Sequence, residues 1–358
     1  MKIIVLLAAM TRGGIDLFQS LLDKHSQISQ LPGKFYIDEF LKKIKFEKDN
    51  EKIALAFIKN YKEYFDSRLN FVERHDQLGP SKNEFYKVDE EKFVKSFMEL
   101  SKNKIISKEE IIINLHLAYS ASSGEDIKKK KLIILQIHHF FRIDSIKELN
   151  FEIICTIRNP LASHSSYVKN LSKFNNKFIN PWQYYYHMER NFSHLINLCE
   201  LKKNISVIKL ERLHRDNQEV MSNLCKKFNI NFEETLNKST FQGKQWWGDQ
   251  VSKKDLEGIN KNFVNKIEDS SFYKNDIVII EYFLNNFFKS YRYPFRDYQI
   301  YMSNIKKYLP LKVDMIILLQ SLKTLNFKNF LMCIFYYFKR LKLMNKEKLD
   351  KFQYPKDL

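Results

Sequence analysis

The opening of the chain constrains its fold more than any other stretch. Residues 2–9, KIIVLLAA, form a continuous apolar run with the length of a β-strand, which is typical of a strand buried on both faces of a parallel sheet. Gly13 and Gly14 follow within TRGGIDLF, although the whole chain contains only 8 glycines. Apolar residues then recur at helical spacing from Ile15 to about Lys24. The sequence therefore predicts a buried strand, a tight glycine turn and a helix in succession.

The same alternation continues further along the chain. Strand-like stretches occur at LIILQIHH from residue 132, FEIICTI from residue 151 and NISVIKL from residue 204. Asn159 and Pro160, directly after the second of these, suit an N-cap and a first helical turn. This pattern predicts an α/β fold, with a P-loop-like, mainly parallel sheet flanked by helices. We assign residues 1–300 to this domain and residues 301–358, with 12 basic and 4 acidic residues, to a basic, amphipathic helical C-terminal extension.

Composition restricts the partners and the compartment. A net charge of +18 at pH 7 favours nucleotides, sulfated or phosphorylated substrates, nucleic acid or a membrane surface, unless it reflects a general compositional bias toward lysine. The four cysteines are scattered, which argues against a metal centre or a disulfide framework. The first apolar run lacks the features of a signal peptide, and no run has the length of a membrane span. We expect a cytoplasmic protein.

Two arginines stand where predicted strands end. Arg12 follows the first strand and Arg158 follows FEIICTI, and parallel α/β sheets bind ligands at this end of their strands. The N–H groups that open the helix after Gly14 favour a phosphate beside Arg12. Arg158, with Ser166 eight residues later, can bind a second phosphate. A structural glycine turn and a surface arginine are the alternatives, and neither GxxxxGK[ST] nor GxGxxG occurs here.

Together these stretches resemble the motifs of the sulfotransferases that use 3′-phosphoadenosine 5′-phosphosulfate (PAPS), in particular bacterial-type and carbohydrate sulfotransferases. In that family a 5′-phosphosulfate loop, roughly [PS]-[RK]-[ST]-G-[ST]-[ST]-[LWF], follows the first strand, and TRGGIDLF is similar to it. The 3′-phosphate motif is an arginine at a strand end with a serine two helical turns later, as in TIRNPLASHSSY. The resemblance extends in element order to about Tyr293.

The resemblance implies a role for each matching residue. Arg12 would bind the 5′-phosphosulfate and stabilise charge on the leaving phosphate, while Arg158 and Ser166 would bind the 3′-phosphate. Backbone N–H groups for the 5′-phosphosulfate would come from Gly13, Gly14, Ile15, Asp16 and Leu17. Ile15 and Asp16 stand where hydroxyl residues are usual. A carboxylate beside a phosphate is unfavourable unless it turns away to cap the helix or to contact another cation.

The acceptor hydroxyl needs a base, and the resemblance implies one shortly after the strand that precedes the 3′-phosphate motif. His138 and His139 stand there, His138 in slightly better alignment, and a neutral histidine can accept the proton. Glu189 is a reserve candidate, because glutamate serves this role in other members. A pair of partly buried or surface histidines without catalytic function is the alternative.

A late loop, FQGKQWWGDQVS, falls where the family often closes a glycine- and lysine-containing loop over the nucleotide. Lys244 would reach a phosphate there, and Trp246 or Trp247 would stack on a base or sugar. Packing in the core is the alternative for both tryptophans. The basic C-terminal stretch predicts either amphipathic helices on the inner face of a membrane or a helical cap over the sheet.

The expected function is transfer of a sulfuryl group from PAPS to a hydroxyl, with a carbohydrate or glycoconjugate as acceptor, without a metal and without nucleic acid as partner. One alternative is another nucleotide-dependent transferase or a kinase-like P-loop enzyme. The missing Walker lysine and the lack of an evident magnesium ligand argue against it. The other alternative is a non-catalytic basic protein that binds nucleic acid or membrane through its lysines.

Overall fold

A five-stranded parallel sheet forms the centre of the protein in a computed structural model. The structure describes residues 1–102, 104–174, 179–201, 203–250, 258–262, 265, 267, 271–272, 274–296 and 308–358. The strands are β1 (Lys2–Ala8), β2 (Ile28–Gln30), β3 (Leu132–His138), β4 (Phe151–Ile157) and β5 (Ile205–Lys209). Their order is β2-β3-β1-β4-β5, and every neighbouring pair is parallel. The expected α/β architecture with a mainly parallel sheet is confirmed.

Helices surround this sheet and connect its strands, except that only a 3-10 helix, Phe140–Ser145, lies between β3 and β4. They are α1 (Ile15–Leu21), α2 (Ile37–Lys43), α3 (Asn50–Asn60), α4 (Lys62–Phe65), α5 (Glu90–Ser101), α6 (Lys108–Ser122), α7 (Pro160–Phe174), α8 (Pro181–Glu189), α9 (Leu195–Glu200), α10 (Leu210–Arg215), α11 (Asn217–Phe228), α12 (Lys274–Phe283), α13 (Asn285–Ser290), α14 (Lys312–Lys323), α15 (Phe327–Leu343) and α16 (Lys346–Lys351). A π-helical turn, Arg190–His194, joins α8 to α9. A small hairpin of β6 (Thr240–Phe241) and β7 (Lys244–Gln245) lies outside the main sheet.

The apolar run of β1 is buried because both faces of the sheet are covered. Ile3, Val5 and Leu7 belong to the larger core cluster, which includes residues of α3, α5 and α6. Ile4 and Leu6 point to the other face and join the cluster with α1 and α11. Each fully buried side chain of this size contributes about 1.5–3 kcal/mol. A continuous apolar strand is therefore the sequence signature of this position.

The topology reverses beside β1. The chain leaves β1 for β2 and β3 on one side, and it forms β4 and β5 on the other. In such sheets the ligand crevice lies outside the carboxyl ends of the strands where the order reverses. Arg12 and Arg158 follow β1 and β4, the two strands that flank this point.

One strand was missed from the sequence. The helical pattern expected from Ile15 to about Lys24 ends at Leu21, and β2 follows at Ile28–Gln30. Three residues show no readable alternation, and the central Ser29 is polar. Its hydroxyl is buried and donates a hydrogen bond to the carbonyl oxygen of His116. The strand therefore depends on contacts with α6 that are distant in sequence.

The C-terminal helices contribute buried residues to the larger core cluster. α14 and α15 form an antiparallel hairpin that lies against α8, where Tyr185 stacks on Tyr336 at 5.1 Å. At the last residue, the N–H of Leu358 donates a hydrogen bond to the carbonyl oxygen of Val207 in β5. Within the described ranges, no helix combines the length and the apolar character that crossing a membrane requires. The boundary at residue 300 lies outside the described residues and stays a prediction.

Candidate active site

The glycine turn holds the backbone in conformations that few residues adopt. Arg12 has a φ of 57° and Gly14, the N-cap of α1, has a φ of 84°, both in the left-handed region. A Cβ on Gly13 would lie 3.0 Å from the carbonyl oxygens of Met10 and Thr156. The first glycine thus permits close approach of the turn to β4. The second permits its positive φ.

Two buried polar side chains hold the backbone of the glycine turn by hydrogen bonds. The N–H of Thr11 donates to Oδ1 of Asn191 at 3.2 Å, and Oγ of Ser163 donates to the carbonyl oxygen of Thr11 at 2.6 Å. Ser163 lies in the first turn of α7, and Asn191 lies in the π-helical turn. Both side chains are buried. The loop is therefore tied to α7 and to the turn before α9, which limits its freedom when a ligand binds.

Asp16 turns toward other groups. Its Oδ1 accepts a hydrogen bond from Nε2 of Gln136 at 2.7 Å and lies 3.8 Å from Nζ of Lys34. Gln136 is buried near the end of β3. The carboxylate thus contacts a cation and an amide donor, and this contact balances its negative charge in the loop.

Arg12 meets a second carboxylate. Its NH1 lies 3.4 Å from Oδ2 of Asp249 in the late loop. Oxygens of Asp16, Glu73 and Asp249 lie within 4.8 Å of one another. The ammonium group of Lys34 contacts Glu73 at 2.7 Å. Five charged side chains from four distant segments therefore meet beside the glycine turn.

The protonation of this cluster follows from its packing. Burial raises the pKa of the Glu73 carboxyl, the charge of Asp16 raises it further, and Lys34 opposes both. Burial lowers the pKa of the Lys34 ammonium, but Asp16 and Glu73 outweigh it and raise that pKa above its ordinary value. Lys34 is therefore fully charged at neutral pH, whereas Glu73 can exchange a proton more readily than an ordinary glutamate.

Arg158 lies on the same edge of the sheet as Arg12 and is partly buried. Its Nε donates to Oδ1 of Asn265 at 3.0 Å. Burial lowers its pKa, Glu211 opposes this, and the positive charge of Arg12 adds to the lowering. Arginine stays charged in proteins despite such shifts. The positive charge of Arg12 thus acts on the guanidinium group of Arg158. An anion bound between the two groups would reduce their mutual repulsion.

Glu211 organises the surroundings of Arg158. Its Oε1 accepts from the N–H of Asn159 at 2.9 Å and from Nδ2 of Asn265 at 2.6 Å. Its Oε2 accepts from the hydroxyl of Tyr293 at 2.9 Å. Glu211 therefore orients the asparagine that orients Arg158. Ser166, the other predicted 3′-phosphate ligand, is half-buried in the second turn of α7.

The two histidines stand at the end of β3, beside the glycine turn. The pairing of β3 with β1 skips Ile137, and His138 has a φ of 60°. Such a bulge redirects a strand end. Burial and the charges of Lys34 and Arg190 keep the pKa of His138 well below its usual value. Its Nδ1 is buried without a hydrogen-bond partner in the part of the chain that the structure describes.

His139 and Glu189 are less suited to act as a base in this crevice. Nδ1 of His139 forms a hydrogen bond with the hydroxyl of Tyr186 at 2.9 Å, and burial lowers its pKa to about 4. Glu189 lies at the end of α8 near Lys339 of α15, and burial raises its pKa although the charge of Lys339 opposes this. Glu189 therefore faces the C-terminal hairpin.

Arg190, the residue after Glu189, enters the crevice instead. Its NH2 donates to the carbonyl oxygens of Ala8 at 3.1 Å and His138 at 3.2 Å, which joins the ends of β1 and β3. The side chain is buried. Burial lowers its pKa, and Tyr186 and Asp16 oppose this. A third arginine thus lies under the glycine turn.

The late loop contacts the charged cluster through Asp249, whereas Lys244 and Trp246 were the residues expected to contact the nucleotide. Nζ of Lys244 contacts Glu84 at 2.6 Å. Trp246 is buried, packs edge-on against Phe241 and donates from Nε1 to the carbonyl oxygen of Glu73. Trp247 donates to the carbonyl oxygen of Gly79. The structure thus pairs Lys244 with Glu84 and packs Trp246 against Phe241 and Glu73, and their nucleotide contacts stay predictions.

Several residues of this site were not found from the sequence. They are Lys34, Glu73, Arg190, Glu211 and Asp249. Glu211 follows β5 at the same edge as the two arginines, so its position at a strand end was a usable signal. The others carry no motif. Asp249 and Arg12, for example, are separated by 237 positions in the chain.

Comparison with known proteins gives the class. The profile of the sulfotransferase family matches residues 5–234, which is well over half of the chain and contains both arginine motifs. The chain belongs to the sulfotransferase family. The family assignment made from TRGGIDLF and TIRNPLASHSSY is thereby confirmed, and the protein is an enzyme of sulfuryl transfer.

Two solved structures are similar at low identity. The sulfotransferase domain from the curacin biosynthetic pathway is 16% identical with a TM-score of 0.40, and the match covers 75% of this chain and 88% of that one. The sulfotransferase domain from the Synechococcus PCC 7002 olefin synthase is 13% identical with a TM-score of 0.36, and the match covers 75% and 91% of the two chains. No curated protein gives a significant match.

Proposed function

We propose that the protein transfers a sulfuryl group from PAPS to a hydroxyl of a carbohydrate or glycoconjugate. One observation carries the proposal: Arg12 and Arg158 follow the two adjacent strands that flank the reversal of the sheet. Membership of the sulfotransferase family supports the donor, because the family generally uses PAPS.

The residues present fit a donor with phosphate groups at two positions. The turn at Gly13 and Gly14 offers backbone N–H groups, since the first N–H groups of a helix have no partner within it. PAPS, when bound, supplies an activated sulfuryl group with a phosphate as its leaving group. Arg12 would bind and neutralise this 5′ end, and Arg158 with Ser166 would bind the 3′-phosphate. To reach the 5′ end, Arg12 would exchange its contact with Asp249 for the ligand.

The acceptor hydroxyl would lose its proton to His138. Burial keeps this histidine neutral at pH 7, and its Nδ1 has no partner among the described residues. The positive charges of Lys34 and Arg190 act on His138. They would stabilise the negative charge that develops on the reacting groups. Glu73 is a second candidate, because its raised pKa suits a general base and it shares the charged cluster with Arg12 and Lys34.

A thermal-shift titration tests the donor. We expect 3′,5′-adenosine bisphosphate to raise the melting temperature more than AMP or ATP does, because a ligand of the native state stabilises it. Loss of Arg12 or Arg158 should remove this preference. Arg68→Ala is the matched control, since Arg68 is an exposed arginine that contacts Asp66 and Phe85, neither of which belongs to the charged cluster. An equal response to the three nucleotides would contradict the PAPS assignment.

The acceptor class needs its own assay. With PAPS labelled in the sulfuryl group, we expect label in soluble oligosaccharides or glycolipids and none in small phenols. The proposal includes a peripheral contact of the C-terminal region with the inner face of a membrane, which would bring the enzyme near a membrane-borne acceptor. Label found only in phenols would contradict the glycan acceptor while leaving the donor in place.

A further inference from the structure

The C-terminal hairpin carries a row of exposed apolar side chains. On α15 they are Phe327, Leu331, Ile334, Phe335 and Phe338, and Leu325 in the preceding turn is 92% exposed. Their positions in the sequence place them within an arc of about 100° and along about 16 Å of the helix. Monomeric soluble proteins rarely leave such a continuous apolar surface uncovered. This row, with Leu325, is called the outer face.

The opposite side of the hairpin is fixed to the protein. NH2 of Arg340 contacts Oδ2 of Asp314 at 2.7 Å, and this ion pair between α15 and α14 is buried. Cys333 and Ile317 are also buried on the inner side. Because the inner side is held by buried contacts, the outer face is presented on a folded support.

The charged side chains that the hairpin itself carries after Asp314 are all basic. Lys323, Lys328, Lys339 and Lys342 are exposed along the same hairpin. The sequence contains no aspartate or glutamate between Asp314 and Glu347. A second copy of the chain would therefore set lysines against lysines, which costs free energy, whereas an anionic surface would pair with them.

We propose that the outer face of the α14–α15 hairpin docks on an anionic lipid bilayer. The phenylalanine and leucine side chains enter the boundary between headgroups and acyl chains, with α15 parallel to the membrane plane, and the lysines contact acidic headgroups. This inference specifies the membrane contact within the proposed function and does not depend on the sulfuryl donor.

The position of α8 gives the docking a functional consequence. Tyr185 of α8 stacks on Tyr336 of the hairpin, and Arg190, five residues later, clamps the strand ends in the crevice. Five residues of helix span about 8 Å. A docked hairpin would thus contact, through Tyr336, the helix whose continuation reaches the crevice, and a lipid-borne acceptor would be concentrated at the same membrane surface.

Vesicle sedimentation with the full chain tests the proposal. We expect binding to vesicles of phosphatidylcholine with about 30% phosphatidylglycerol, weaker binding to phosphatidylcholine alone, and a decrease with salt. Phe335→Ser with Phe338→Ser should weaken binding at least about tenfold. These side chains are exposed, so the melting temperature should stay unchanged. Phe46→Ser with Phe71→Ser is the matched control, since both are exposed aromatic residues outside the hairpin.

Two outcomes would overturn the docking surface. One is equal vesicle binding by the wild type and the Phe335/Phe338 variant. The other is a wild-type dimer that binds no vesicles and that the same substitutions dissociate, which would make the outer face an interface between copies. Affinity for 3′,5′-adenosine bisphosphate, measured on the same samples, separates these outcomes from failure of the proposed transfer reaction, because the nucleotide crevice does not include the outer face.

Discussion

At the scale of single residues, carboxylates surround the arginine that would bind the donor. Asp16, Glu73 and Asp249 bring three negative charges to the glycine turn, and Arg12 and Lys34 bring two positive ones. Arg190 adds a third cation beneath the turn. When Glu73 is ionised, the three carboxylates and three cations at the glycine turn balance one another. A doubly phosphorylated ligand must replace ion pairs of this cluster with its own contacts. Ligands that offer one phosphate to Arg12 and another to Arg158 are therefore favoured.

The identity of the base can be read from a pH profile. A base must be deprotonated to act, so activity rises with pH through its pKa. Because burial holds the pKa of His138 far below its usual value, we expect kcat/KM to be flat from neutral pH upward and to fall only under acidic conditions. His138→Asn should lower kcat by about 10²–10⁴-fold, whereas Glu73→Gln should change it only a few-fold.

The contrary outcome is equally specific. If kcat/KM rises through neutral pH and this step disappears in Glu73→Gln, the raised pKa of Glu73 sets the profile and the glutamate is the base. Arg68→Ala again serves as the control for a general change of charge.

At the scale of elements, the turn between β1 and α1 depends on two different properties of glycine. Gly14 has a positive φ, and a Cβ there would collide with the side chain of Leu210. Leu210 begins α10 and is buried. We expect Gly14→Ala to lower the free energy of unfolding by about 2–4 kcal/mol, from the left-handed backbone and from the collision together.

Gly124→Ala separates these two causes. Gly124 has a φ of 80°, close to that of Gly14, but among the described residues no atom beyond its chain neighbours lies within 4 Å of a Cβ there. Gly124→Ala should lower the free energy of unfolding by only about 1–2 kcal/mol, because only the left-handed backbone contributes. Chemical denaturation of both variants gives the comparison. Equal losses in the two variants would show that Leu210 does not restrict the turn.

The elements that the sequence predicted well are those whose signal is local. FEIICTI matches β4 because every residue in it except Glu152 is apolar or small and buried, and Arg158 follows directly. TRGGIDLF predicted its turn because two glycines are rare in this chain. Asp249, Glu73 and β2 could not be predicted, because each acquires its place through a partner far away in sequence. Contacts of that kind are set by packing and leave no periodic pattern.

At the scale of the whole molecule, burial lowers the pKa of all nine histidines. They are His25, His75, His116, His138, His139, His164, His187, His194 and His214. The pKa is lowered to about 3 for His75, His164 and His194. In the unfolded chain each of them titrates near the ordinary value of about 6.5.

These histidines predict an acid-labile protein. The unfolded state binds more protons than the folded state between pH 6.5 and the lowered pKa values, so stability rises with pH there and is lost as pH falls. Each fully buried histidine costs about 1.4 kcal/mol per pH unit in this range. Carboxyls with raised pKa, such as Glu73, oppose the trend but are fewer. The melting temperature should drop steeply between about pH 6.5 and 5; a flat profile would contradict neutral buried histidines.

The central claim is that two arginines at adjacent strand ends bind opposite ends of one nucleotide. Calorimetric titration with 3′,5′-adenosine bisphosphate, 5′-AMP and 3′-AMP tests it most directly. We predict that Arg158→Ala lowers affinity for the bisphosphate to that for 5′-AMP, and that Arg12→Ala lowers it to that for 3′-AMP. Each loss should be about 10–100-fold, as for a buried charged hydrogen bond, with Arg68→Ala unchanged. If either substitution weakens all three ligands equally, or none, the arginines do not divide the nucleotide between them and the account is wrong.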